Sequence, residues 1–333
     1  MHFTSPVHRP ANESRSIFLQ VTSGCRHNNC RFCSYFRNVR FCASPLEEVE
    51  SDLAELEHLP RHFPKQRVFL QAADAFCLDY DRLMHIAELI GKHLPTVTSI
   101  GAYARIDDIT NKSVEQLRSL KDAGYENLFI GIETGDDHLL KLMNKGFTSA
   151  DILRECGKLN EAGLTFTVSI INGLGGHNYG PYSAIKTARV LNEIQPASIR
   201  PESLTVMPNS PLADDVRLGA FAEATERERL NELVVLVDNL ECETRFHATQ
   251  ATLPMRIFGN LPTDKRDLHE AIATFAEQAD EDELRQHRLR VTSMMMPEHA
   301  LHDPMTPLLE TTKNASVSPR HNISWGRDYN PLA

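Results

Sequence analysis

The chain reads as an α/β protein built on a parallel sheet of six strand–helix units. Three observations carry this. Runs of apolar or β-branched residues of strand length recur along the first two thirds of the 333 residues. Segments with helical spacing of apolar residues lie between them, and glycines such as Gly124 and Gly163 close several of those segments. Strands that are apolar on both faces and joined by helices belong to parallel sheets covered on both sides.

The first run is Ile17-Phe18-Leu19-Gln20-Val21. Pro45 then opens a helix from Leu46 to about Leu59, with Leu46, Val49, Leu53 and Leu56 on one face. Further strands are predicted over Arg67–Asp74, Ser99–Arg105, Asn127–Glu133, Thr165–Ile171 and Ser198–Val206, with helices near 81–92, 112–123, 149–162 and 181–193. Six such units wind either into a doubly wound sheet or into an open barrel. Both folds build their sites at the C-terminal ends of the strands. Asp74, Arg105, Glu133 and Asn172 all fall there.

The pattern changes after Pro208-Asn209-Ser210-Pro211. Residues 1–15 lead into a core over 16–212, and a helical extension over 213–290 follows, with helices over 221–240, 264–278 and 280–288. A short run, 243–252, holds His247, Thr249 and Gln250. The extension is expected to cover the substrate side. From Val291 to Ala333 the pattern is irregular.

Composition narrows the function. Seven cysteines is an odd number, and the closest of them are poorly spaced for disulfides, so a reducing cytoplasm is expected. No apolar run reaches the roughly 20 residues of a membrane span, and no signal segment is visible at the N-terminus. The net charge of −10 argues against a general nucleic-acid coat. Residues 1–45 nevertheless carry six arginines against Glu13 alone. That basic stretch would favour thiolates and an anionic cluster, unless it is simply a solvated loop.

Cys25, Cys30 and Cys33 lie in this stretch, directly after the first strand. A closed zinc site or a fully ligated iron–sulfur cluster takes four protein ligands, so three thiolates leave one position open. Cys42 would close a zinc site as Cys-x4-Cys-x2-Cys-x8-Cys, or else is a small packed residue. Cys77, Cys156 and Cys242 are isolated and read as packed residues, and His177 and His247 are lone histidines.

The cysteine loop combines with Phe69-Leu70-Gln71-Ala72-Ala73-Asp74-Ala75-Phe76, Gly131-Ile132-Glu133-Thr134-Gly135-Asp136-Asp137, Met143-Asn144-Lys145-Gly146, Asn172-Gly173-Leu174-Gly175-Gly176 and Leu261-Pro262-Thr263-Asp264-Lys265. In this order the motifs resemble the radical S-adenosylmethionine (SAM) superfamily over residues 16–275. The likeness is to its branch of methylthiotransferases and the elongator catalytic subunit, in a group with Cys-x4-Cys-x2-Cys. The resemblance implies a partial, open parallel (β/α)6 barrel and an enzyme that cleaves SAM reductively with a [4Fe–4S] cluster. The resulting 5′-deoxyadenosyl radical would abstract hydrogen from substrate. It further implies cluster ligation by Cys25, Cys30 and Cys33, with Phe32 beside the adenine and Asp74 near the methionine amino group. Glu133 would contact the ribose and Lys145 the SAM carboxylate, with Gly173, Gly175 and Gly176 approaching the cofactor. Arg105 would face cofactor or substrate. Ala73 stands where the family usually has glycine. The substrate is expected to be a small molecule, with RNA or protein as the alternative, and a flavodoxin- or ferredoxin-like protein would donate the electron. His177, His247, Thr249 and Gln250 are candidates for the substrate side. A non-catalytic zinc-stapled binding protein is the reading from another class.

Overall fold

The computed structural model describes residues 1–4, 7, 10–57 and 67–295. Five longer helices lie between the six parallel strands, α1 (Leu46–Leu56), α2 (Tyr80–His93), α3 (Val114–Asp122), α4 (Ser149–Ala162) and α5 (Gly180–Ile194), with short helices at Ile106–Thr110 and Asp137–Leu142 beside them. Three of the longer helices start where a side chain satisfies a free backbone donor. Asp79 accepts from the Arg82 N–H, Ser113 from Gln116 and Thr148 from Asp151, each interaction being worth about 1 kcal/mol.

Each expected strand forms. β1 (Ile17–Gln20), β2 (Arg67–Gln71), β3 (Ser99–Ala104), β4 (Leu128–Glu133), β5 (Phe166–Asn172) and β6 (Ser198–Ser203) pair in parallel, each with the next. A doubly wound sheet reverses its strand order at a switch point. Here neighbours in the sheet are neighbours in sequence, which is the order of a barrel wall. β1 lies at one edge of that order, so among the described residues the barrel is open.

The extension is more than helical. β7 (Thr244–Ala248) adds parallel to β6, and β8 (Ile257–Leu261) turns back antiparallel along β7. Helices α6 (Glu226–Asn239), α7 (Lys265–Gln278) and α8 (Glu281–Met295) accompany them. α8 runs on past Val291, where the sequence pattern suggests irregular chain. Its buried Arg288 holds it to α6 through Glu226 at 2.6 Å. The irregular stretch read over 296–333, and the last residues of the helix expected before 60, lie outside the described residues. No described helix is long and apolar enough to cross a membrane.

The two faces of the sheet differ. The outer face packs Leu19, Leu70, Ile130, Val168 and Ile199 beneath the helices. On the concave face the alternate positions Phe129, Gly131 and Glu133, then Ser169 and Ile171, then Glu202 border one cavity. The turn after β4 is fixed against α5 with little room to spare. Thr134 Oγ1 lies 3.0 Å from both the Ser183 and Thr187 hydroxyls, and the Gly135 N–H donates to Thr187. A Cβ at Gly135 would sit 2.8 Å from the Lys186 carbonyl oxygen and 2.9 Å from Thr187 Cα. Backbone cannot swing aside as a side-chain tip can. Gly135→Ala should therefore cost about 1–3 kcal/mol in urea unfolding with an unchanged m-value; wild-type stability would contradict this packing.

Candidate active site

The cysteine loop leaves β1 and returns at a two-residue pairing of Thr22–Ser23 with Cys42–Ala43. Two side chains shape it from within. Arg37 donates through Nε to the Cys33 carbonyl at 3.1 Å and through Nη2 to the Cys30 carbonyl at 2.9 Å. The Asn28 amide nitrogen lies 3.3 Å from Cys25 Sγ, and its side chain donates to the Phe36 carbonyl at 2.7 Å. Distant segments then staple the loop down. The Arg31 N–H donates to the Met143 carbonyl, the Leu212 N–H donates to the Arg31 carbonyl, and the Asn144 side chain donates to the Asn29 carbonyl. The Arg26 N–H donates to Asp74 at 3.1 Å. Motifs more than a hundred residues apart in sequence thus meet at this loop.

Cys25, Cys30, Cys33 and Phe32 border a cavity of about 370 Å³, which Arg105, Glu133 and Lys145 border as well. Lys145 Nζ, buried, lies 2.8 Å from Glu133 Oε1. Its ammonium is 5.3 Å from the Phe147 ring centre and 5.9 Å from that of Phe32. Arg105 donates to the Lys145 carbonyl at 2.6 Å and to Asp107 at 2.9 Å. Glu133 holds a φ of +64° at a shift in the β4–β5 register. A Cβ at Gly131 would come within 2.6 Å of the Glu133 carboxylate, so the glycine makes room for it. Left-handed backbone at a non-glycine residue costs about 1–3 kcal/mol and gathers at functional sites.

Several expected site residues lie elsewhere. Asp74 is fully buried and does not border the cavity; its carboxylate braces the cysteine loop, and burial pushes it up to about 6. Ala72 and Ala73 border the cavity instead, and Ala72, not Ala73, takes the unusual φ of +99°. Gly173, Gly175 and Gly176 pack against Arg229, Tyr179 and Ala222 and do not line the cavity. His177 is exposed and lies 2.9 Å from Glu228. His247 stacks on Phe258 at 6.2 Å, and burial, with Arg200 and Arg245, pushes it down to about 4. Thr249 is half-buried outside the cavity lining, whereas Gln250 borders it.

The expected arginine field is also spent locally. Arg26 pairs with Asp107 and Asp108, Arg31 with Asp215, and Arg37 with backbone carbonyls. Burial raises the Cys25 thiol and pushes Cys33 up to about 12, so for these two thiols burial outweighs the nearby arginines. Among the described residues no three Cys, His, Asp or Glu side chains are gathered at metal-ion distance. The trio faces a shared space, and its number and softness suit an iron–sulfur cluster. Cys42 is exposed, with Sγ 3.4 Å from the Ala43 carbonyl oxygen, and is not a wall of that space. Cys156 and Cys242 are buried and Cys77 partly so. Sequence reasoning missed Glu202, Tyr35, Tyr103 and Thr292, which also border the cavity. Only Glu202 left a signal, as a carboxylate at the end of the strand Ser198-Ile199-Arg200-Pro201-Glu202-Ser203.

Fold and cavity together define an open parallel α/β barrel whose rim carries a three-cysteine loop. A sequence model of the radical SAM superfamily matches residues 19–187, about half of the chain, and the chain belongs to that superfamily. It is therefore an enzyme of the class that uses a [4Fe–4S] cluster and SAM. The archaeosine synthase subunit beta of Methanosarcina acetivorans is 28% identical over 158 residues, 45% of this chain and 45% of that protein. The tRNA-2-methylthio-N(6)-dimethylallyladenosine synthase of Hahella chejuensis is 28% identical over 198 residues, 56% of this chain and 42% of that one. The chain spans less than half the length of either relative. Both agree with the methylthiotransferase-containing branch that the motifs resemble. Among solved structures, the cobalamin-dependent SAM radical enzyme OxsB, with aqua-cobalamin and SAM bound, shares the fold. Its TM-score is 0.54 at 13% identity, covering 86% of this chain and 50% of that one.

The glycine loop after β5 is tied to α6, where the Gly173 N–H donates to Glu232 at 2.6 Å. Burial pushes this carboxyl from its ordinary 4.5 up to about 8. The folded chain keeps the proton while the unfolded chain loses it near 4.5, so the folded state is disfavoured progressively as pH rises between these values. Glu232→Gln cannot ionise. Urea titrations from pH 4 to 9 should show the variant gaining on wild type as pH rises; a pH-independent difference would contradict the assignment.

Proposed function

We propose that Cys25, Cys30 and Cys33 hold three irons of a [4Fe–4S] cluster and that SAM fills the remaining iron position, within reach of Phe32, Glu133, Lys145 and Arg105. The observation that carries this is the cavity itself, which brings the three thiols and the buried Lys145–Glu133 pair to one space at the strand C-termini. When bound and reduced by a flavodoxin- or ferredoxin-like donor, cluster and SAM supply a 5′-deoxyadenosyl radical that takes hydrogen from substrate.

The chain's own residues bind, orient and enclose. Lys145 offers its ammonium to the SAM carboxylate, and Glu133 accepts from the ribose hydroxyls. Arg105 holds Lys145 in place through its carbonyl. Phe32 gives the adenine an aromatic neighbour. Gln250 and Thr292, from the extension, close the substrate end of the cavity and limit water there. A small-molecule substrate suits the net charge of −10 and the local pairing of Arg26 and Arg31. Modification of an RNA is a second reading, favoured by the names of the two curated relatives.

Anaerobically reconstituted protein should carry about four irons and four sulfides per chain and form 5′-deoxyadenosine from SAM with a strong reductant. Replacement of Cys25, Cys30 and Cys33 together by alanine should abolish both. Lys145→Gln, which still offers Glu133 a donor, should keep the iron and weaken SAM binding about tenfold or more. Zinc in place of iron, or product formation by the triple variant, would overturn the proposal.

A further inference from the structure

Part of the cavity's polar lining is not among the residues assigned to the cofactor above. It lies at the C-terminal end of β6 and in the residues that follow, where Glu202, Ser203 and Thr205 border the space. Register sets Glu202 opposite Ile171 on the concave face. Tyr103 and Phe129, edge to face at 5.4 Å, form the adjoining wall.

Among the described residues these polar groups are not answered. No hydrogen bond or ion pair reaches the Glu202 carboxylate from the described residues; Arg200 and Glu133 act on it only through charge. The Ser203 and Thr205 hydroxyls are buried and without partners among the described residues. The other carboxylate in the cavity, Glu133, is already matched by Lys145. An unpaired buried polar group costs about 1–3 kcal/mol, and native structures keep such groups where something else satisfies them. Two carboxylates repel an anion. A cation that donates hydrogen bonds answers a carboxylate better than a neutral donor does.

We propose that this part of the lining is the substrate-recognition subsite and that it takes a small molecule by a basic nitrogen. Glu202 accepts from the amine, the Thr205 hydroxyl adds a polar contact, and the carbon skeleton lies against Tyr103 and Phe129. The assignment of substrate to this part rests on the radical SAM reading of the cofactor residues.

Benzylamine and benzyl alcohol, close isosteres, test it by calorimetry on the anaerobically reconstituted protein. Wild type should bind the amine at least tenfold more tightly than the alcohol. Glu202→Gln should bring the two within about twofold, and Thr205→Val should weaken the amine several-fold while leaving the carboxylate in place. Equal affinity for the two probes, no binding of the amine, or a preference that survives in Glu202→Gln overturns the proposal. Iron content and 5′-deoxyadenosine formation, read on the same preparation, judge the cofactor reading separately. Iron and product with no amine preference sinks the subsite alone; amine preference without iron leaves the subsite and sinks the radical reading.

Discussion

The buried pair between Lys145 and Glu133 is the interaction on which the site depends. Removing two charges from water costs several kcal/mol per ion, and their attraction seldom repays more than that. Apolar residues of the same volume would serve stability as well. The pair is held instead by a costly arrangement: Glu133 in left-handed backbone, Gly131 clearing space for its carboxylate, and Arg105 gripping the Lys145 carbonyl. Phe32 and Phe147 flank the ammonium. Such a charged pair beside a cavity suits exchange of one partner for a ligand's carboxylate or hydroxyls.

The same short stretch of chain positions the thiols. Met143 and Asn144, just before Lys145, hold the cysteine loop through backbone contacts at Arg31 and Asn29. Asp74 steadies the loop from β2. The three thiols and the charged wall are therefore tied to the same stretch of chain, and an error of placement in one is felt by the other. This is the pre-organisation that a site of exact chemistry requires from its surroundings.

Much of this was legible in the sequence because it rests on local pattern. Apolar runs separated by amphipathic helices gave six strands, and strand-end polarity pointed to Arg105, Glu133 and the cysteine loop. The rest depends on contacts that spacing does not encode. Glycines 173, 175 and 176 serve helix and loop packing here, because Arg229, Tyr179 and Ala222 occupy the space a side chain would need. The arginines near the cysteines are matched by aspartates far away in sequence, such as Asp107, Asp108 and Asp215. β7 did show a period of two, with Thr244, Phe246 and Ala248 buried, but five residues within a polar stretch are too few to stand out. Glu202 left one sign, a carboxylate at a strand end, and that sign gains meaning only from its neighbours in the cavity.

The central claim is that the three-thiol loop leaves one iron open to SAM at the Lys145 side of the cavity. Electron paramagnetic resonance of the reduced, reconstituted protein tests it most directly. The account predicts a [4Fe–4S] signal whose g values shift when SAM is added, with the shift requiring higher SAM in Lys145→Gln. A spectrum that saturating SAM leaves unchanged would contradict it.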